Sequence, residues 1–264
     1  MTHPWFASSG TPRVLAHRGL VTPEAAADGI AENSFAAVAA AHAVGAAYVE
    51  SDCHLTADGV VVLFHDDSLV RVTGDPRPLA EVTERELEGL METRGGLITL
   101  AQALEAFPAL RFNIDVKADA AAGPAGEIVA AHADRVLLTS FSDTRRRVAL
   151  TSAVRAGGLP ATSAGSRTIA RVVAAVAAGA RPLVRRLLTG IDALQVPVRR
   201  GPITIVTRRL VAAAHACGVE VHVWTVNDPA DMRRLLGVGV DGLVTDHADR
   251  ALQVAAAWRA EHRL

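Results

Sequence analysis

Short runs of β-branched and apolar residues alternate with longer Ala-rich stretches along most of the chain. Runs of about four to eight such residues have strand length, and the Ala-rich stretches between them have helix length, so the pattern predicts successive parallel βα units. The expected strands are Arg13–His17, Tyr48–Cys53, Arg111–Lys117, Val136–Ser140, Pro160–Ser163, Ala193–Pro197, Val219–Val226 and Gly242–Asp246. Helices are clearest over Ser34–Val44, Asp143–Val154, Thr207–Cys217, Pro229–Leu236 and Asp249–Glu261. Asn33, Ser142, Thr207 and Asp228 suit helix N-caps, and Gly45, Gly218 and Gly237 suit the left-handed residue that ends a helix. Eight βα units in 264 residues imply one (β/α)8 barrel, a single domain over residues 1–264.

One apolar run, Val60–Phe64, lies too close to the second strand for a helix to intervene. The turn signal Ala57-Asp58-Gly59 predicts a β-hairpin excursion over about residues 53–65, after the second strand. Pairing outward from that turn sets His65 opposite Ser51 and Asp52. Gly165–Gly190, rich in Ala, Val and Leu and split by Pro182, reads as one barrel helix followed by a shorter one; a sharper reading is an apolar lip for an acyl chain.

A barrel of this type carries its chemistry at the carboxyl ends of the strands. Those ends hold His17 and Arg18, Glu50 and Asp52, Asp115 and Lys117, Ser140, Ser163, Gln195, Trp224 with Asn227, and Thr245 with Asp246. A doubly wound open sheet is the alternative, but His17-Arg18-Gly19 after the first strand is not a glycine-rich phosphate loop.

Glu50 and Asp52 are two residues apart on a strand, so both point to one face and can share a hard cation. Asp115 ends the neighbouring strand. Three carboxylates about one point repel, and one Mg2+ or Ca2+ relieves that repulsion. Lys117 is the single lysine of a chain with 26 arginines, which suggests that a compact point charge is needed there. His17 and His65 each close an apolar β-run and converge on the carboxylates, whereas His42, His132, His215 and His222 read as structural.

Composition narrows the field further. A net charge of −1 gives no global field for nucleic acid or an anionic membrane. Cys53 and Cys217 have no metal-ligand spacing and suit a reducing compartment without a disulfide. Met1–Pro12 shows no leader pattern, and no stretch of about 20 apolar residues occurs, so a soluble, cytoplasmic protein is expected. Oligomeric state is left open.

Taken together, these residues resemble the glycerophosphodiester phosphodiesterases, which share a barrel superfamily with phosphatidylinositol-specific phospholipases C. The resemblance runs through Ala16-His17-Arg18-Gly19, Glu32-Asn33-Ser34, residues 45–52, Thr56-Ala57-Asp58-Gly59, Phe64-His65-Asp66-Asp67, residues 112–117, residues 223–227 and residues 239–246. It implies that His17 and His65 are the general acid and base. It implies Glu50, Asp52 and Asp115 as ligands of one Mg2+ or Ca2+, Arg18 and Lys117 as phosphate holders, Trp224 as an apolar wall, and Glu32 and Asn33 as supports of the first loop. The implied substrate is a small glycerophosphodiester, cleaved to sn-glycerol 3-phosphate and an alcohol. The chain departs from the family pattern at Ala31, usually proline, in a longer Leu20–Ala31 stretch, and at Asp115, where many relatives carry Glu.

Two related enzymatic readings are a lysophospholipase D and a lyase that stops at a cyclic phosphate. A non-catalytic binding barrel is the reading from another class, and the intact set of histidines, carboxylates and Lys117 argues against it. No His-x-His ends the first strand, which disfavours a metal-dependent amidohydrolase.

Overall fold

The computed structural model describes residues 3–7 and 10–262. Met1, Thr2, Ser8 and Ser9, part of the N-terminal stretch expected to lack a leader, lie outside the described residues. Eleven strands occur among the described residues: β1 (Arg13–His17), β2 (Tyr48–Leu55), β3 (Val61–Leu63), β4 (Arg111–Val116), β5 (Val136–Thr139), β6 (Ala161–Thr162), β7 (Ala193–Pro197), β8 (Arg199–Arg200), β9 (Ile203–Thr204), β10 (Glu220–Trp224) and β11 (Gly242–Thr245). Eight of them run parallel in the order β6-β5-β4-β2-β1-β11-β10-β7. A bridge between Ser163 and Ala193 brings the two ends together, so the sheet is a nearly closed (β/α)8 barrel.

Alternation along each strand sends one set of side chains outward and one inward. The outward set, including Val49, Ile114, Leu138, Leu194, Val221 and Leu243, packs under the helices in the main core. The inward set forms layers. Leu15, Tyr48, Leu137, Ala161, Ala193 and Val244 make a dry layer, closed from below by Trp5 and Phe6. Trp5 is fully buried, and its indole N–H donates to the Phe112 carbonyl at 2.9 Å.

The hairpin folds as its turn predicts. β3 returns antiparallel to β2 with Cys53 facing Leu63, and Phe64 N–H donates to the Asp52 carbonyl at 2.9 Å, which carries His65 back to the level of Ser51. The stretch between this hairpin and Arg111, for which the pattern names no element, forms short helices. Glu84–Met91 and Leu100–Ala106 both begin with capping boxes, Thr83 with Glu86 and Thr99 with Gln102. A satellite core of Val62, Phe64, Leu69, Leu79, Val82, Leu87 and Met91 holds the stretch against the hairpin.

Two helix-end expectations are corrected. Ser34, not Asn33, caps the helix Phe35–Ala43, its Oγ accepting from Ala37 N–H at 3.1 Å. Asn33 instead takes a left-handed φ of 55° and turns its amide toward the barrel. Gly237 lies inside the helix Pro229–Val238, and Gly239, at φ 102°, ends it. The Gly165–Gly190 region is the helix Ser166–Ala177 followed by the shorter Arg181–Leu187, as its pattern predicts. The short hairpin of β8 and β9 has no counterpart in the pattern reading. Cys53 and Cys217 are both free. Among the described residues no helix is long and apolar enough to cross a membrane.

Candidate active site

Strand register assembles the site. His17 of β1 lies level with Glu50 of β2, Glu50 with Asn113 of β4, and Asp52 with Asp115, so all five side chains belong to the inward set just above the dry layer. They line the floor of a cavity of about 820 Å³ at the carboxyl ends of the strands. Arg18, His65, Lys117 and Trp224 line the same cavity. Of the residues singled out from the sequence, Glu32 and Asn33 stand behind it.

The His-Arg-Gly turn after β1 needs its glycine. At Gly19 the backbone has φ +88°, and a Cβ there would lie 2.6 Å from the Ala37 carbonyl. Arg18 is itself left-handed at φ 58°, which swings its guanidinium back over the barrel mouth. There Arg18 Nη1 donates to Glu32 Oε1 at 2.7 Å, and Nε lies 3.0 Å from Asp52 Oδ2. Asn33 completes the loop, its Nδ2 donating to Asp52 Oδ2 at 3.3 Å and its Oδ1 accepting from Ser51 Oγ at 2.5 Å.

Lys117 bridges two of the acids, its Nζ lying 2.8 Å from Asp52 Oδ1 and 2.7 Å from Asp115 Oδ2. Burial alone would lower the ammonium pKa, but Asp115 and Asp52 outweigh it and hold the lysine protonated. Among the described residues no three His, Cys, Asp or Glu side chains are drawn together as a closed set of metal ligands. What remains is unpartnered oxygen: Glu50 Oε2, Asp115 Oδ1 and Asn113 Oδ1 are buried without a hydrogen bond. Burial, then the charge of Asp52, pushes the Glu50 carboxyl up to about 8. Asp115 is raised by burial too, although Lys117 opposes the shift. Buried carboxylate and amide oxygens without donors fit a hard divalent cation, as the spacing of these carboxylates suggests.

Each imidazole is oriented by a carboxylate. His17 Nδ1 lies 2.6 Å from Asp246 Oδ1, and its Nε2 faces Glu50 Oε2 at 3.9 Å. Burial depresses the His17 pKa, but the Asp246 bond and the Glu50 charge win, leaving it above the ordinary histidine value. Asp246 is in turn held by Asn227 Nδ2 at 2.6 Å. His65 Nδ1 lies 2.5 Å from Asp66 Oδ1, and His54 Nε2 donates to the His65 carbonyl at 3.0 Å. Arg71 then joins the two loops, donating to Asp66 Oδ2 and to Glu32 Oε1, both at 2.6 Å.

Asp246, Asp66, Asn227, His54 and Arg71 were not singled out for roles by the sequence reading. Asp66 and Asp246 were visible as polar residues beside a strand end, yet nothing in one dimension pairs Asp246 with His17, which is 229 positions away. Trp224 lines the cavity, meeting Phe141 edge to face at 5.6 Å between ring centroids. The four histidines read as structural serve as such. His222 is fully buried, 3.0 Å from Glu220, while His215 pairs with Asp241 at 2.7 Å; His42 meets the Phe107 ring and His132 meets Arg135.

Comparison with known proteins agrees with this geometry. The model of the glycerophosphoryl diester phosphodiesterase family matches residues 17–250. A probable glycerophosphodiester phosphodiesterase 2 from Mycobacterium tuberculosis is 35% identical over 256 residues, spanning 96% of this chain and 94% of its own length. A human lysophospholipase D is 33% identical over 100 residues, 33% of this chain and 32% of its own. Among solved structures, a glycerophosphodiester phosphodiesterase from Thermotoga maritima aligns with a TM-score of 0.70 at 24% identity, over 94% of this chain and all of that one. An Oleispira antarctica phosphodiesterase, solved with its product sn-glycerol-3-phosphate, aligns at 0.69 and 23% identity, over 92% of this chain and 96% of that one. With the family model covering nearly the whole barrel and a full-length relative of the same kind, this chain belongs to the glycerophosphoryl diester phosphodiesterase family and is a phosphodiester-cleaving enzyme.

Proposed function

We propose that the enzyme hydrolyses small head-group glycerophosphodiesters, such as glycerophosphocholine and glycerophosphoethanolamine, to sn-glycerol 3-phosphate and the free alcohol. His17 and His65 serve as the proton carriers, and Glu50, Asp52 and Asp115 hold one Mg2+ or Ca2+. The observation that carries this reading is the pair of carboxylate-backed imidazoles facing one cavity that also holds a lysine and an arginine.

A bound cation would neutralise charge on the non-bridging phosphate oxygens and offset the repulsion among the three carboxylates. The remaining work falls to the chain's own groups. An ammonium has three donors, and with two directed at Asp52 and Asp115 the third is left for a phosphoryl oxygen. Arg18, pinned by Glu32 and Asp52, presents its guanidinium from the opposite loop. With carboxylates accepting at both Nδ1 atoms, the Nε2 atoms of His17 and His65 exchange protons: one takes a proton from the attacking oxygen, and the other gives one to the departing alkoxide. Water adds to phosphorus, the phosphorus–oxygen bond to the alcohol breaks, and proton count is conserved. Trp224 closes the cavity beside the leaving group. Balanced surface charge suits a small-molecule substrate over nucleic acid, and two reduced cysteines suit the cytoplasm.

The test is hydrolysis of glycerophosphocholine followed by phosphorus NMR, with and without EDTA and with Mg2+ or Ca2+ restored. Loss in EDTA, recovery with the cation, and direct appearance of sn-glycerol 3-phosphate are expected. Activity indifferent to EDTA would refute the cation, and a cyclic phosphate that accumulates as end product would assign a lyase instead.

A further inference from the structure

Among the described residues, four arginine and lysine side chains line the cavity, and they fall into two pairs. Arg18 is held by Glu32 and Asp52, and Lys117 by Asp52 and Asp115. Arg199 and Arg200, which form β8, are exposed, and among the described residues neither enters an ion pair. Arg199 Nη2 donates to the Pro202 carbonyl at 2.9 Å, inside the same hairpin, which leaves its remaining N–H groups available. In an arginine-rich chain a solvated arginine is ordinary. A pair of them lining the reactive cavity without a counter-charge is not.

Ring order sets this second pair across from the acids. β7 lies four strands from β2 in either direction around the barrel, so the hairpin that follows Pro197 rises opposite Glu50 and Asp52. Within the hairpin Arg200 pairs with Ile203 across the two strands, so their side chains share a face. Ile203 and Ile205 line the cavity, which puts Arg200 on the lining face beside apolar neighbours that thin the water around its charge. On β7 itself, Gln195 adds another donor. Its Oε1 accepts from Ser163 Oγ at 3.1 Å, and its Nε2 is buried with no acceptor. The two sides of the cavity are therefore opposite cases. Beside β2 and β4 stand oxygens without donors, and beside β7 stand donors without acceptors. The first set fits a cation and the second an anion.

We propose that Arg200, with Arg199 and Gln195, forms an anion subsite for the leaving alcohol, and that the preferred substrates are glycerophosphodiesters whose head group carries a second negative charge, a carboxylate or a phosphate. This rests on the hydrolytic reading above and names its substrate class. With the diester phosphate at Lys117 and Arg18, the leaving alcohol extends past Trp224, which is level with Pro197 in the sheet, toward the hairpin. Its anionic group accepts there from Arg200. Cleavage is the same balanced hydrolysis: glycerophosphoserine and water give sn-glycerol 3-phosphate and serine.

The experiment measures kcat/KM for two matched pairs. Glycerophosphoserine differs from glycerophosphoethanolamine by one carboxylate, and glycerophosphoinositol 4-phosphate differs from glycerophosphoinositol by one phosphate. A roughly tenfold advantage for the anionic member of at least one pair is expected, the size of a charge-assisted hydrogen bond, and the pair that shows it identifies the anion. Added KCl should shrink the advantage by screening. Arg200→Gln is expected to bring the ratio to within about twofold of one, Arg200→Glu to invert it, and Arg199→Gln to lower it less, all with the parent urea midpoint because the hairpin positions are exposed. Calorimetric titration of a His17→Ala, His65→Ala double variant with the same four diesters and Mg2+ reads the subsite without turnover. Ratios near one in both pairs, with the diesters still hydrolysed, would overturn the subsite and leave the hydrolytic reading standing. An advantage that survives Arg200→Glu would overturn it as well. If the parent enzyme hydrolyses none of the four yet binds an anionic member more tightly, and Arg200→Gln removes that preference, the subsite stands and the hydrolytic reading falls.

Discussion

The barrel buries charge at both ends and treats it in opposite ways. At the amino end Arg13 donates to both oxygens of Glu220, at 2.8 and 2.9 Å, to Tyr48 Oη at 2.7 Å and to the Phe6 carbonyl at 2.7 Å. Burial would raise the Glu220 pKa, yet Arg13 and His222 take it down to about 2. At the carboxyl end Glu50 goes the other way, up to about 8, because burial and Asp52 act on it without a donor of its own. Paired charge under a lid of Trp5 and Phe6 is built for stability. At the carboxyl end Glu50 Oε2 and Asp115 Oδ1 are left without donors beside the cavity, and a buried group without a hydrogen bond costs about 1–3 kcal/mol, which the proposed cation would offset.

The sharpest way to break the contrast is to remove a proposed proton carrier at the carboxyl end. His17→Ala and His65→Ala are each expected to cut kcat/KM by ~10²–10⁴, with the urea midpoint within a small margin of the parent. A variant that keeps near-full activity would remove that histidine from the chemistry. The converse change is Arg13→Met, which strands Glu220 in the amino end. It should cost ~3–5 kcal/mol in denaturant unfolding while the folded fraction keeps its kcat.

Asp246→Asn probes the orientation of His17 without changing its size. The carboxylate supports the protonated imidazole, so its loss should move the His17 limb of the pH–rate profile to lower pH and slow the reaction by roughly 10–100-fold, the size typical of groups that orient a reactive side chain. Arg71→Met severs the link between Asp66 and Glu32 and should lower kcat by about tenfold, with partial rescue by Arg71→Lys, which keeps the charge but not the planar fork.

The smallest effect concerns acid stability. The folded pKa of Glu220 is depressed from 4.5 to about 2, so its contribution is complete above pH 4.5 and fades as the pH falls toward 2. Glu220→Gln should flatten the stability curve in that window and leave its neutral-pH shape unchanged; an unaltered acid limb would show that other carboxylates set it.

How much of this was readable beforehand depended on the range of the interaction. β1 and β7 fall at the residues their apolar runs mark, because a short β-branched run between turn signals has few other options. The return of His65 to the mouth was legible too, since Ala57-Asp58-Gly59 sets a hairpin whose register is arithmetic. Asparagine suits both an N-cap and a left-handed turn, and at Asn33 the choice is made by Asp52 and Ser51 on another element. Gly237 suits a helix end by sequence, but Gly239 two residues later suits it equally well and is the one that ends the helix. The β8–β9 hairpin went unseen, having too few residues for a period to register.

From the order of residues alone came the βα repeat, the barrel, the histidines and carboxylates at strand ends, and the family. These depend on neighbours a few positions apart, where backbone periodicity dictates direction. Tertiary structure alone decided that Asp246 holds His17, that Arg71 ties Asp66 to Glu32, that Lys117 sits between Asp52 and Asp115, and that Trp5 plugs the opposite end. The first of these requires β1 and β11, the first and last strands in sequence, to hydrogen-bond side by side, and the others require loops and strands distant in sequence to meet at one end of the barrel, which is a property of the whole ring rather than of any segment.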